Sequence, residues 1–228
     1  MRDPEILFED QHLIVISKPV GLLSQGEKRG DPNLVDWLRT RWNRPYVGLV
    51  HRLDRNTSGA MVVAKRTKAA HRLTESLQSG ELERVYLAWL VGHLPAPARW
   101  KHRLWKDTTT NRTLVVSPTH PQGKDATLSV EPRGRASWNG LELTLAEFKL
   151  ETGRSHQIRV QASHEGFPLL GDQKYSPKIS PKASLEFKRP ALHSWRIRFP
   201  HPMSREMLDF ESPLPPDMHA IATILSGI

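Results

Sequence analysis

The feature that most constrains this chain is the size of its apolar runs, which are short and broken every few residues by Pro, Gly or charge. Ile6, Leu7 and Phe8 are followed by Glu9-Asp10-Gln11-His12 and then by the apolar residues 13–16. That order predicts two adjacent strands joined by a tight turn. Residues 47–50, 60–64 and 85–91 read as further strands, and Leu141, Leu143 and Leu145 alternate with polar neighbours as in a half-buried strand. Residues 195–199 and 207–210 flank Pro200-His201-Pro202 and predict a hairpin. Helical periodicity is local. Leu34, Leu38 and Trp42 recur every four residues, with Asp31 or Asn33 as cap and Pro45 past the end. A second helix covers residues 68–77, with Leu73 and Leu77 inward and Gly80 as its stop. Ser155 is placed to cap a third that runs to about His164. Residues 95–123, rich in Pro, Thr and charge, predict loops and short strands. Strands dominate, so the expected architecture is one α+β domain over residues 1–228, built on a mostly antiparallel mixed sheet with flanking helices.

Charge narrows the partners. A net charge of +9 and a pI near 10.0 favour a polyanion, because basic side chains attract phosphates and release their counterions. The absence of cysteine excludes a disulfide framework, a thiolate nucleophile and a Cys-ligated zinc site. No apolar run approaches the roughly 18 residues of a membrane span. Met1-Arg2-Asp3-Pro4-Glu5 does not read as a secretory signal, so a cytoplasmic protein without a membrane partner is expected. The eleven histidines show no pair at the helical spacing of a metal site, and no metal is expected.

Four segments carry candidate chemistry. In His51-Arg52-Leu53-Asp54-Arg55-Asn56-Thr57-Ser58-Gly59, an extended backbone sends Arg52 and Asp54 to one side and Leu53 to the other. Leu53 can then anchor the segment while a guanidinium and a carboxylate are presented together. Thr152-Gly153-Arg154-Ser155-His156-Gln157-Ile158-Arg159 puts basic residues at a helix start, where they oppose the helix dipole and call for an acidic partner. Arg84-Val85-Tyr86 sets a Tyr in an aliphatic strand, and Leu169-Leu170-Gly171-Asp172-Gln173-Lys174-Tyr175 reads as a turn.

The order and spacing of these segments, beginning with Lys18-Pro19-Val20-Gly21-Leu22, resemble the RluA-type pseudouridine synthase family over nearly the whole chain. Arg84 stands where that family often has Lys, Ser176 follows Tyr175 where Gly is frequent, and residues 101–123 match poorly. The resemblance implies a pseudouridine-synthase fold with a central catalytic cleft and no separate N-terminal RNA-binding domain. It implies isomerisation of uridine to pseudouridine in a stem-loop of ribosomal or transfer RNA without cofactor, and a monomer is the simplest expectation. Asp54 would be the catalytic carboxylate, Tyr86 would stack on the uracil, and Arg159 would balance the charge of Asp54. Arg52 would fill the gap left by the flipped nucleotide, Leu170 would wall the pocket, and Arg154 and His156 would bind substrate. The rivals are a non-catalytic RNA-binding or RNA-chaperone protein of the same fold and a basic hydrolase or nuclease. The intact Asp54, Tyr86 and Arg159 favour the synthase.

Overall fold

The computed structural model describes residues 3–26, 30–176 and 187–222, and its packing divides the chain into two compact units, Met1–Val85 with His193–Leu214 and Tyr86–Leu192 with Pro215–Ile228.

In the first unit β1 (Glu5–Glu9) and β2 (Leu13–Lys18) pair antiparallel. Their turn is closed by Asp10, whose Oδ1 accepts the N–H groups of His12 and Leu13 at 2.7 and 2.8 Å. β2 pairs antiparallel with β4 (Ser58–Ala64), placing Val15 opposite Val62. β10 (Leu192–Pro200) joins β4 in parallel through His193 and Ser194, and β11 (Met207–Glu211) returns along β10 as the expected hairpin. Period-two alternation puts Leu13, Val15, Ala60, Val62 and Ala64 into one core with Ile197 and Phe199. Ala69 and Leu73 of α2 (Thr67–Ser79) cover it, and Gly80, at φ 84°, stops that helix. α1 (Leu34–Trp42) starts at Asn33, whose side chain accepts the Asp36 N–H, and buries Leu34 and Leu38.

The second unit takes β5 (Glu83–Val91) from Tyr86 onward, beside β9 (Leu141–Leu150). β9 pairs antiparallel with β8 (Lys124–Trp138), which bulges between Pro132 and Gly134. On β8 lies a hairpin of β6 (Ala98–Asp107) and β7 (Arg112–Val116). Residues 95–123 are therefore built around a long hairpin, not loops. Only one face of β6 is buried, through Trp100 and Leu104, and Arg99, Lys101 and Lys106 sit in water, so its composition reads as polar.

The third helix also differs from expectation. α3 (Gln157–His164) is capped by His156 in the left-handed region, at φ 54°, and not by Ser155. The Gln157 side chain organises the entry instead, its Oε1 accepting the Arg154 N–H at 2.9 Å and the Thr152 hydroxyl at 2.8 Å. Residues 157–162 are all buried, and Gln161 Nε2 donates to the carbonyls of Trp100 and Ala126. A short α4 (Pro216–Ala222) is fixed by Trp89, whose indole N–H donates to the Met218 carbonyl at 3.1 Å. The ladders β1–β2, β2–β4, β10–β11, β6–β7, β6–β8 and β8–β9 are antiparallel and β4–β10 is parallel, so the α+β reading holds.

Candidate active site

Residues 51–59 enter β4 where its edge changes partner. β3 (Gly48–Leu49) pairs with Val63 and Ala64, and β10 pairs with Ser58 and Gly59. Between these ladders side chains finish the edge. His51 Nε2 accepts the Val62 N–H at 3.2 Å, and Ser194 Oγ donates to the Ala60 carbonyl at 3.0 Å. His51 is buried; desolvation, and then the charge of Arg84, hold its pKa down at about 3. It is therefore a neutral imidazole with its proton on Nδ1.

Beyond His51 the expected alternation is present. Arg52 is exposed, Leu53 is 6% exposed, and Asp54 is half-buried. Ser24 Oγ grips Leu53 from both sides, accepting its N–H at 3.0 Å and donating to its carbonyl at 2.7 Å. The Thr57 N–H closes a turn on the Asp54 carbonyl at 3.0 Å. Lys18, fully buried, donates to the carbonyls of Leu22 at 2.7 Å, Pro19 at 3.0 Å and Arg55 at 3.3 Å. The segment 18–22 thus clamps the end of the Asp54 loop. The Ser58 hydroxyl lies 2.9 Å from His193 Nδ1, and His193 Nε2 lies 2.9 Å from the Ser212 carbonyl. A carbonyl only accepts, so His193 Nε2 carries a proton, and in the neutral ring Ser58 donates to Nδ1.

Gly59 has φ 116°, and a Cβ there would fall 2.1 Å from the Ser194 carbonyl oxygen. A Gly59→Ala variant is therefore expected to lose about 2–6 kcal/mol, combining backbone strain with forced overpacking against β10. A urea midpoint equal to that of the wild type would refute this account of the close approach.

In the second unit Arg159 is locked in a fork to Asp172, Nε to Oδ2 at 2.7 Å and Nη2 to Oδ1 at 2.9 Å, with both side chains buried. Asp172 Oδ1 also accepts the N–H groups of Lys174 at 3.1 Å and Tyr175 at 3.2 Å. The Arg159 guanidinium lies over the Tyr175 ring, 5.0 Å from its centre. The Tyr175 hydroxyl takes the Thr113 N–H at 2.9 Å and sits 2.6 Å from His156 Nδ1, while burial pushes its pKa up. The turn needs Gly171, at φ 73°, because a Cβ would stand 2.1 Å from the Arg189 carbonyl oxygen.

Of the expected site residues in this unit, Arg159 and His156 meet around Tyr175. Arg154 is exposed and turns to the Asp125 carbonyl at 2.8 Å. Tyr86 is buried in β5. Leu170 is fully enclosed, donating its N–H to the Trp89 carbonyl at 2.8 Å. Five supporting residues are given no role from the sequence: Lys18, Ser24 and His193 hold the Asp54 loop, and Asp172 and Tyr175 hold Arg159. Three of them, Lys18, Asp172 and Tyr175, lie within segments 18–22 and 169–175, and the family resemblance those segments carry is the signal that points to them.

A family model described as RNA pseudouridylate synthase matches residues 12–164. Ribosomal large subunit pseudouridine synthase D of Yersinia pestis is 35% identical, the alignment covering 98% of this chain and 71% of that protein. The protein of the same name from Nitrosomonas europaea is 36% identical, over 98% of this chain and 66% of its own length. Among solved structures, human RNA pseudouridylate synthase domain containing 1 superposes with a TM-score of 0.77 at 24% identity, covering 96% of this chain and 87% of that one, which shows a shared fold. With a family model across most of its length and relatives about a third identical over nearly all of it, the chain belongs to the RNA pseudouridylate synthase family, as an RluA-type enzyme.

Proposed function

We propose that this enzyme converts uridine to pseudouridine in large-subunit ribosomal RNA, with Asp54 as the catalytic carboxylate and a flipped-out nucleotide as substrate. The observation that carries the choice of RNA is the match over 98% of the chain to relatives named for the ribosomal large subunit. The reaction breaks the N1–C1′ bond, forms C5–C1′, and moves one proton from C5 to N1. It is redox-neutral, so side chains suffice for it. Asp54 acts on the nucleotide either at C1′ or by taking a ribose proton. Its setting fits: half-buried, on a loop whose neighbour Leu53 is anchored and whose ends are clamped by Lys18 and Ser58. Exposed Arg52 fits the residue that enters the gap left in the RNA, where flipping costs a few kcal/mol. Tyr86 stacks on the uracil against Leu170, Arg159 balances the Asp54 charge, and Arg154 and His156 hold the RNA. The same reading takes the chain as one catalytic domain, acting as a monomer in the cytoplasm. No helix among the described residues is long and apolar enough to cross a membrane.

Mapping pseudouridines across total RNA, with and without the gene, tests the proposal. A site lost from large-subunit ribosomal RNA is the expected result. Loss confined to transfer RNA would overturn the choice of substrate, and an unchanged map would overturn the function.

A further inference from the structure

Positive charge is not spread evenly along this chain. From Trp37 to Arg72 the sequence holds nine Arg or Lys and one carboxylate, Asp54, an excess of eight in a chain whose net charge is +9. The fold gathers several of these cations at one end of β4. Glu9 joins the end of α1 to the end of that strand: its carboxylate takes Arg41, the Trp42 indole N–H and Lys65, each at 2.9 Å. The chain leaving α1 then runs against the first turn of α2. There the Tyr46 hydroxyl and the Ala70 Cβ both fall 2.9 Å from the place a Gly48 Cβ would occupy. Arg39, Arg41 and Arg44 therefore stand beside Arg66 and Lys68, all five exposed and all within the first unit.

Helix electrostatics account for only part of this pattern. Arg39 and Arg41 lie in the last turn of α1, where the dipole favours cations. Arg44 lies past that helix. Arg66 and Lys68 lie at the start of α2, whose first turn has no acidic residue and where the dipole disfavours them. The Arg66 side chain bonds the neutral Gln11 carbonyl, at 3.2 Å, and Arg44 and Lys68 have no side-chain partner among the described residues. Tyr46, 37% exposed, is the one exposed aromatic ring among those residues, and it lies in this patch. Uncompensated cations around an open ring suit a strand of nucleic acid, which brings phosphates to the cations and a base to stack. β4 is 7 residues long, so at about 3.3 Å per residue the patch lies roughly 20 Å from the Asp54 loop, which enters the other end of the strand. A nucleotide flipped out at Asp54 cannot reach it, but the RNA on either side can.

We propose that Arg44, Tyr46, Arg66 and Lys68 form a second RNA-binding surface, which holds a single-stranded segment flanking the target stem-loop. The proposal rests on the RNA-modifying function and adds a contact away from the reacting nucleotide.

The test is the salt dependence of binding to deproteinised large-subunit ribosomal RNA. Each phosphate neutralised on a single strand contributes about 0.7 to the slope of log K against log salt. The triple variant Arg44→Gln, Arg66→Gln, Lys68→Gln is expected to lose about 2 from that slope and to bind roughly fiftyfold more weakly near 0.15 M salt. The triple exchange Arg44→Lys, Arg66→Lys, Lys68→Arg keeps the charge and is expected to keep the slope. Tyr46→Leu removes the ring alone and is expected to weaken binding about fivefold at an unchanged slope. As a control, Lys101→Gln, Lys106→Gln, Lys124→Gln removes the same charge from exposed positions of the second unit. An equal fall in slope there would show diffuse attraction and overturn the proposal, as would a wild-type slope in the first triple variant. Wild-type affinity in Tyr46→Leu would also overturn it, leaving a surface that reads phosphate without a base. Vesicles of phosphatidylglycerol, bound by the wild type and released by the first triple variant with equal RNA slopes, would make this a membrane face instead. Pseudouridine formation on the same RNA is scored separately. Failure of the enzyme reading therefore shows as absent product with the slopes as expected, and failure of this surface as product formed with equal slopes.

Discussion

An Asp54→Asn variant is expected to bind RNA as the wild type does and to form no measurable pseudouridine. Asparagine keeps the size and one oxygen acceptor but removes the charge that attack at C1′ or removal of a ribose proton requires. Loss of a nucleophile or general base together with its electrostatic contribution amounts to at least about 10⁴-fold in the chemical step. The fold is expected to tolerate the change. The turn at this position is made by the Asp54 backbone carbonyl with the Thr57 N–H, and the loop is anchored through Leu53 and Ser24, none of which involves the carboxylate. Single-turnover product formation, set beside an RNA titration, separates the two effects. A rate within tenfold of wild type would remove Asp54 from the chemistry, and a matching loss of affinity would make it a binding residue instead.

Much of the first unit was legible because its signals are local. β1, β2, β4 and α1 each carry a period or an unbroken apolar run: residues 13–16 are apolar without interruption, Leu34 and Leu38 repeat at helical spacing, and Asn33 and Gly80 sit where caps belong. The alternation of Arg52, Leu53 and Asp54 was legible for the same reason, since an extended backbone fixes it. The second unit showed β5 and β9 in its sequence but hid β6 and β8. β6 and β8 each leave one face largely in water, so charged residues dilute their apolar ones, and the bulge at Pro132 and Gly134 interrupts the register of β8. α3 hid its periodicity because residues 157–162 are buried on all sides, Gln and Arg included.

The supporting residues were illegible for a different reason. Lys18 looks like a surface lysine until three carbonyls from residues 19, 22 and 55 converge on its ammonium. Ser24 and Leu53 are far apart in sequence, as are Ser58 and His193, and nothing local marks either pair. Gly59 is the instructive intermediate. Its identity suggests a flexible turn, yet the structure gives it a stricter task, which is to let the Ser194 backbone approach a strand closer than any side chain permits.

Removing one such support has a measurable cost at Asp172. An Asp172→Ala variant is expected to lose about 3–5 kcal/mol of stability, because Arg159 would remain as a buried charge without its fork. The same change should depress turnover, since the guanidinium loses the two bonds that fix its plane over Tyr175. Arg159→Ala differs in kind. The Asp172 carboxylate would still accept the Lys174 and Tyr175 N–H groups, so less stability should be lost, while turnover falls far more than RNA affinity. Because the two residues act as one unit, the double variant Asp172→Ala with Arg159→Ala is expected to be more stable than Asp172→Ala alone. Urea unfolding and single-turnover rates on the three variants decide the matter. Additive stability losses would dissolve the pair as an energetic unit, and a wild-type rate in Asp172→Ala would show that Arg159 needs no carboxylate to hold it in place.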